Sequence, residues 1–333
     1  MADSRAVVLR RRPQGAARAD DFDVVDVPPQ RPGDGQVVVA ARYLSVDPYV
    51  RCLLDDPSLY GTPVALGAVP PGDMVGEVVE SRDPDLRPGT LVVGRLGWRT
   101  HAVADARALR RAGCHGVAAE AELALLGSAG LTAWFGVTET LRPRPGDAVL
   151  VTGAAGAVGS LAAQLCRVAG ARVVGVAGGA RKQTFLTGTL GLDGAIDYQA
   201  TADIGATLDR ACPDGFDGFF DNVGGPIADA ALARLRPGAH VAVCGEISQY
   251  DDPGNEYRPR ILPPLMDKRA TMAGFLVSDY AHRFDEARAR LASLVDAGRL
   301  VCCVDVVEGI ARLPEAFAGM MRGDSMGKRL VSV

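Results

Sequence analysis

Three glycines, Gly153, Gly156 and Gly159, stand at every third position between the apolar run VLVT and the helix-forming stretch SLAAQLCRV. Without side chains at these positions, backbone amides approach a pyrophosphate closely, and the exposed N–H groups of a helix start meet its negative charge. A glycine triplet alone marks many tight turns. Here a strand precedes it, a helix follows, and a second strand comes about twenty residues on, which is the context a dinucleotide site requires. At the end of that second strand an acidic residue would hold a ribose 2′-hydroxyl, and a basic one would accept a 2′-phosphate. The chain reads GGARKQ there, with Arg181 and Lys182 and no carboxylate nearby in sequence. NADPH is expected over NADH, with Lys182 as the main contact. Two solvated residues opening the next helix would give the same letters.

Metal chemistry finds little support. Zinc needs Cys and His ligands placed tetrahedrally, and the chain has four histidines, His101, His115, His240 and His282. Cys302 and Cys303 are adjacent on an expected strand, so their side chains point to opposite faces and do not readily share an ion. Cys114 with His115 is the nearest approach to a ligand pair and lacks partners. Without a metal, a carbonyl is polarised by hydrogen-bond donors, which favours conjugate reduction over alcohol oxidation.

The elements that must position these residues fall into two kinds. QVVVAARYLSV (36–46), MVGEVVES (74–81) and TLVVGRLGW (90–98) are short β-branched runs cut by Gly and Pro, the pattern of an all-β, partly open barrel. After about residue 122 the rhythm becomes strand, glycine turn, helix, strand. Strands are expected in 145–153, 171–178, 194–198, 216–224 and 239–246, and helices in 160–170, 227–238 and 283–298. That order makes a doubly wound α/β domain with a parallel sheet. The closing KRLVSV is a strand signal, expected to return to the N-terminal domain. A length of 333 residues suits two domains, and 48% apolar with 23% charged residues is ordinary for a globular chain. A net charge of −4 argues against nucleic-acid partners. The chain has no apolar run long enough to span a membrane and no secretory h-region at its start, so the cytoplasm is expected. Seven cysteines without a repeating spacing read as small buried hydrophobes in a reducing compartment.

LSVDPYVR (44–51), GLTAWFGV (130–137), TGAAGAVG (152–159), FDNVGG (220–225), VCGEISQY (243–250) and GFLVSD (274–279) together resemble the medium-chain dehydrogenase/reductase superfamily. Within it they are most similar to the zinc-independent branch of prostaglandin reductases and plant double-bond reductases. The resemblance implies a GroES-like, partly open β-barrel catalytic domain from residues 1–124 and 301–333. It also implies a Rossmann doubly wound domain from 125–300, a cleft holding NADPH, and a homodimer. It places Lys182 at the 2′-phosphate with Tyr198 beside it. Asn222, Cys244, Ser248 and Tyr250 fall along the cofactor groove, and the backbone of Phe275 and Val277 flanks the nicotinamide. Pro48, Thr132, Gly153, Gly156, Ala157, Val158, Gly159, Ser325 and Gly327 complete the cofactor contacts.

For chemistry, the resemblance points first to Tyr250. Hydride addition at a β-carbon leaves negative charge on the carbonyl oxygen, and a positioned phenol, still protonated at neutral pH, can hydrogen-bond that enolate. A tyrosine that only orders the nicotinamide ribose would need its hydroxyl in the same place. Tyr49, in SVDPY, falls on the opposite wall, binding substrate or closing the pocket. Two features depart from the family: Ser325 stands where members often carry Asn before the final MGK, and the Pro- and charge-rich segment 251–270 is expected to form a lid or pocket edge. The function implied is NADPH-dependent reduction of the C=C bond of an α,β-unsaturated carbonyl compound. Three alternatives stay open: reduction of a large polyene or enone scaffold with possible ring closure, quinone reduction, and NADPH binding without turnover.

Overall fold

Short β-branched runs interrupted by Gly and Pro favour sheet over helix, and they form most of the first of two units, Met1–Gly127 with Val304–Val333. The computed structural model describes residues 4–58, 60–251 and 262–333. β1 (Arg5–Leu9) pairs antiparallel with β2 (Phe22–Asp26). β3 (Gln36–Ser45), β4 (Met74–Ser81), β5 (Leu91–Gly94), β6 (His101–Asp105), β7 (Arg110–Arg111), β14 (Val304–Glu308) and β15 (Lys328–Ser332) form a second sheet, ordered β14-β15-β3-β4-β5-β7. β3 is long enough to serve two neighbours: Gln36–Ala40 pair with β6, and Tyr43–Ser45 with β15. Register shifts at Val38/Val39 and Ala41/Tyr43 bend it between them. β15 thus joins the N-terminal strands, as its sequence suggested. Short helices α1 (Tyr49–Cys52) and α2 (Ala119–Ala124) and the longer α10 (Leu313–Met321) complete the unit. Its core centres on Trp98, Phe22 and Phe317, whose ring centroids lie 5.4–5.8 Å apart.

The second unit, Ser128–Cys303, is the doubly wound one. β8 (Ala148–Thr152) reads AVLVT and is buried at every residue, as a parallel strand covered on both faces must be. With β9 (Arg172–Ala177), β10 (Gly194–Asp197), β11 (Phe216–Asp221), β12 (Leu235–Val243) and β13 (Thr271–Gly274) it forms a fully parallel sheet ordered β10-β9-β8-β11-β12-β13. The winding reverses between β8 and β11, and the crevice at such a point is where ligands bind in open α/β sheets. The helices are α3 (Ser128–Phe135), α4 (Ala157–Val168), α5 (Ala180–Thr184), α6 (Ile204–Ala211), α7 (Gly225–Leu232), α8 (Leu262–Lys268) and α9 (Phe284–Asp296).

Three expectations need correction. The helix expected through residue 238 stops at Leu232, because the Arg234 carbonyl accepts the Phe216 N–H and Leu235 pairs with Phe216, drawing the chain into β12. Cys302 and Cys303 precede β14 instead of lying on a strand. There Val301 donates its N–H to Gln164 Oε1 and accepts from Gln164 Nε2, so a side chain takes the place of a ladder. Of the seven cysteines, only Cys52, Cys166 and Cys212 are buried; Cys244, Cys302 and Cys303 are half-buried, and Cys114 is exposed.

Candidate functional site

β8 ends at Thr152, and the chain turns through Gly153, at φ +58°, into α4. The turn closes with the Gly156 N–H on the Gly153 carbonyl at 2.9 Å. A Cβ on Gly159 would stand 2.2 Å from that same carbonyl oxygen, so only hydrogen fits where α4 crosses the turn. The amides of Ala157, Val158 and Gly159 belong to the first helical turn and have no acceptor within the helix, and the positive end of a twelve-residue helix dipole lies with them. These donors fit a pyrophosphate.

On the far side of the switch point, Thr152 Oγ1 donates to Asp221 Oδ1 at 2.7 Å and accepts the Asn222 N–H at 3.0 Å. Asn222 Nδ2 donates to the Thr152 carbonyl at 2.7 Å, and Asp221 also accepts the N–H groups of Val223 and Gly224. Asp221 is buried, and desolvation raises its carboxyl above the ordinary carboxylate range against the pull of these donors. The next strand end is tied in as well. The Cys244 N–H bonds the Asp221 carbonyl at 2.8 Å, and Ser248 Oγ donates to the Val223 carbonyl at 2.6 Å. Burial and the Asp221 charge push the Cys244 thiol up to about 12, leaving it an inert thiol at neutral pH. Asn222, Cys244 and Ser248 are thus joined by one hydrogen-bond network. Tyr250 follows on the same loop, its hydroxyl 3.4 Å from the Glu246 N–H.

At the end of β9, Gly179 (φ +89°) leads into α5, which carries exposed Arg181 and half-buried Lys182. Tyr198 is exposed, and a Cβ on Gly178 would lie 3.0 Å from its ring. A carboxylate does reach this turn, contrary to what the local sequence suggested. Asp197, from the neighbouring β10, accepts the N–H groups of Gly179 and Gln199, which hold it below the ordinary carboxylate range. It is spent on backbone.

Thr132 is half-buried in α3. The Phe275 ring packs edge-on against Phe220 at 6.3 Å, and a Cβ on Gly136 would come within 2.7 Å of both rings, so Gly136 makes room for the pair. Val277 packs with Leu131, Phe135 and Ala287. Of the expected lid, 252–261 lie outside the described residues and α8 follows them. A cavity of about 600 Å³ in this unit is lined by Trp134, Val137, Leu165 and Leu294 from the helices, and none of the expected site residues takes part in it.

The remaining expected residues sit in the first unit. Lys328, almost fully buried on β15, donates to the carbonyl of Val46 at 2.9 Å and to Asp47, which also accepts from Ser45. The ion pair clamps the loop carrying Pro48 and Tyr49 to the strand just after Ser325 and Gly327. Burial, reinforced by the Asp47 charge, raises the Tyr49 phenol above its ordinary range, so it stays protonated, and the Arg95 guanidinium lies 5.1 Å over its ring. Asp73, nearby, is raised by burial and by Asp47. Sequence reasoning missed Thr152, Asp221, Asp197, Asp47 and Lys328. A lysine opening a strand that turns apolar at Leu330 and Val331, and acids at two strand ends, were the available signals.

Residues 5–112 match a family model described as the N-terminal domain of oxidoreductase, and 157–293 one described as zinc-binding dehydrogenase. The chain is 40% identical to a putative NADP-dependent oxidoreductase of Bacillus subtilis over 100% of this chain and 98% of that one. It is 34% identical to the NADP(+)-dependent 2-alkenal reductase of Nicotiana tabacum over 99% and 97%. The chain belongs to the zinc-independent branch of the medium-chain dehydrogenase/reductase superfamily. Among solved structures, CurA from Vibrio vulnificus in complex with NADPH matches this superfamily member with a TM-score of 0.94 and 33% identity, over 99% of both chains. One of the two matching superfamily models is named for zinc, yet the described residues contain no group of three or more His, Cys, Asp or Glu able to hold a metal.

Proposed function

We propose that this protein uses NADPH to reduce the carbon–carbon double bond of α,β-unsaturated carbonyl compounds. The observation that carries the reading is its likeness, along the whole chain, to the NADPH complex of CurA. A relative named for 2-alkenals, in which the double bond is conjugated to the carbonyl, supports the substrate class. NADPH, when bound, supplies the hydride. The amides of Ala157, Val158 and Gly159 hold the pyrophosphate, and Lys182, with Tyr198 beside it, holds the 2′-phosphate. Asn222, Cys244 and Ser248 line the groove, with Thr132, Phe275 and Val277 toward the nicotinamide; Pro48, Ser325 and Gly327 are cofactor contacts carried over from the family resemblance alone. As negative charge develops on the substrate oxygen, the Tyr250 hydroxyl donates to it, and Tyr49, held protonated, bounds the substrate. The same reading extends to a homodimer, which light scattering tests.

The deciding experiment follows NADPH oxidation, in the presence of a chelator, across 2-alkenals, cyclic enones, an extended polyenone and quinones, with mass analysis of the products. A gain of two hydrogens at the double bond is the expected result. Turnover of quinones alone, or tight NADPH binding with no turnover of any substrate, overturns it.

A further inference from the structure

Arg99 lies in the first unit between β5 and β6, where it forms an isolated antiparallel bridge to Ala6 of β1. Its side chain has an unusual accounting. Among the described residues no carboxylate stands within ion-pair distance of it, and its Nε–H is buried with no acceptor. Partial withdrawal from water draws the guanidinium below its ordinary range, though an arginine stays charged in a protein. An uncompensated charge with a buried, unmet donor destabilises the fold unless something else meets it.

What lies beside it is a cavity of about 160 Å³, walled by Arg99, His101 and Gln30 together with the apolar Ala6, Val38 and Val69. This volume equals roughly five waters of liquid. It admits a small polyatomic ion and excludes a nucleotide or a long apolar chain. His101 supplies a second donor. Thr100 Oγ1 accepts the Arg5 N–H at 2.9 Å and lies 3.1 Å from His101 Nδ1; in the tautomer where the threonine donates to Nδ1, Nε2 carries the imidazole hydrogen. Burial lowers the imidazole below its ordinary range, keeping it a neutral donor at pH 7. The wall therefore offers one permanent cation, one imidazole N–H, one amide and the Ser4 residue among apolar neighbours, with no fixed anion.

We propose that Arg99 and His101 form a binding site for a small oxyanion, of the phosphate or short-chain carboxylate class. The guanidinium fork presents paired N–H donors with the spacing of two oxygens on one centre, which a halide does not match. The site stands on unit-one residues alone and is independent of the proposed reduction.

The test is a titration of the full-length protein with inorganic phosphate and, in a parallel arm, acetate. Ionic strength is held constant with chloride, and the backbone amide resonances of positions 99 and 101, present in every variant, are followed by NMR. The expected result is a saturating shift with a dissociation constant on the order of 1 mM. It should be lost in Arg99→Gln and weakened about tenfold in Arg99→Lys, which keeps the charge without the fork and serves if the glutamine variant does not fold. The arm that saturates at lower concentration identifies the source. A resonance that moves with neither anion means the cavity holds only water, and a shift that follows chloride equally means bulk ionic strength. Either overturns the proposal.

Discussion

In the parallel-sheet unit, the groups proposed to meet the cofactor's phosphates are mostly main chain. The amides after Gly156 are presented by a turn that excludes a Cβ, and Asn222 is oriented by hydrogen bonds at the ends of two adjacent strands. In the other unit, the loop bearing Pro48 and Tyr49 is held by a side-chain ion pair, Lys328 with Asp47, whose partners are 281 residues apart in sequence. The first arrangement fails when atoms are added and the second when charge is removed. A backbone site is robust to most side-chain changes nearby. A buried ion pair leaves whichever partner survives stranded in a poor dielectric.

The largest expected effect lies on the ion-pair side of this comparison. Lys328→Met leaves Asp47 buried without its cation and should lower unfolding stability by about 3–5 kcal/mol in a denaturant titration, and adding Asp47→Asn should recover part of the loss. If the double variant is no more stable than the single one, the loop is held by something else. On the backbone side, Gly159→Ala forces a Cβ against the Gly153 carbonyl and should cost about 2–3 kcal/mol together with NADPH binding. Gly188→Ala, where a Cβ meets nothing within 4 Å in a helical segment, should instead gain about 0.4–1 kcal/mol. Equal losses at the two glycines would erase the distinction drawn here.

Tyr250→Phe should reduce kcat on the order of 100-fold in steady-state assays while changing the NADPH dissociation constant by less than about twofold. A fall in affinity without a fall in kcat would assign the hydroxyl to the ribose. Lys182→Ala should raise the KM for NADPH about tenfold and leave that for NADH almost unchanged. An unaltered preference would remove the phosphate contact from Lys182.

The smallest effect is a pH dependence. Asp73 has its folded-state pKa raised by burial and by Asp47, so the folded state favours its proton. Its contribution to stability is complete below the ordinary value of 3.8 and is lost as pH rises through the raised one. Asp73→Asn, which cannot ionise, should therefore gain on the wild type as pH increases through that window. Parallel stability curves for the two proteins would contradict the shift.

The fold class was legible because its signals are local. β-branched runs cut by Gly and Pro spell one unit, and buried strands separated by helices spell the other. The helix carried on to residue 238 misled because ARLR continues its pattern, and only the pairing of Leu235 with Phe216 ends it. Within the site, the glycine turn is confined to seven consecutive residues and is visible to inspection. Thr152 and Asp221 are 69 residues apart, and Asp197 reaches Gly179 from a neighbouring strand. A single sequence carries no local mark of such meetings. What it does show is an acid where a strand ends, or a lysine where a strand begins, and these are the residues whose charges must find partners once buried.

One feature of the topology bears on how the molecule is made. β15 lies inside its sheet, between β14 and β3, yet it is the last strand of that sheet to leave the ribosome. All six strands of the parallel sheet are synthesised before it. During translation, the unit whose strands begin first is therefore completed last, and it must wait with an open seam along β3 while the later-made unit already has every strand it needs.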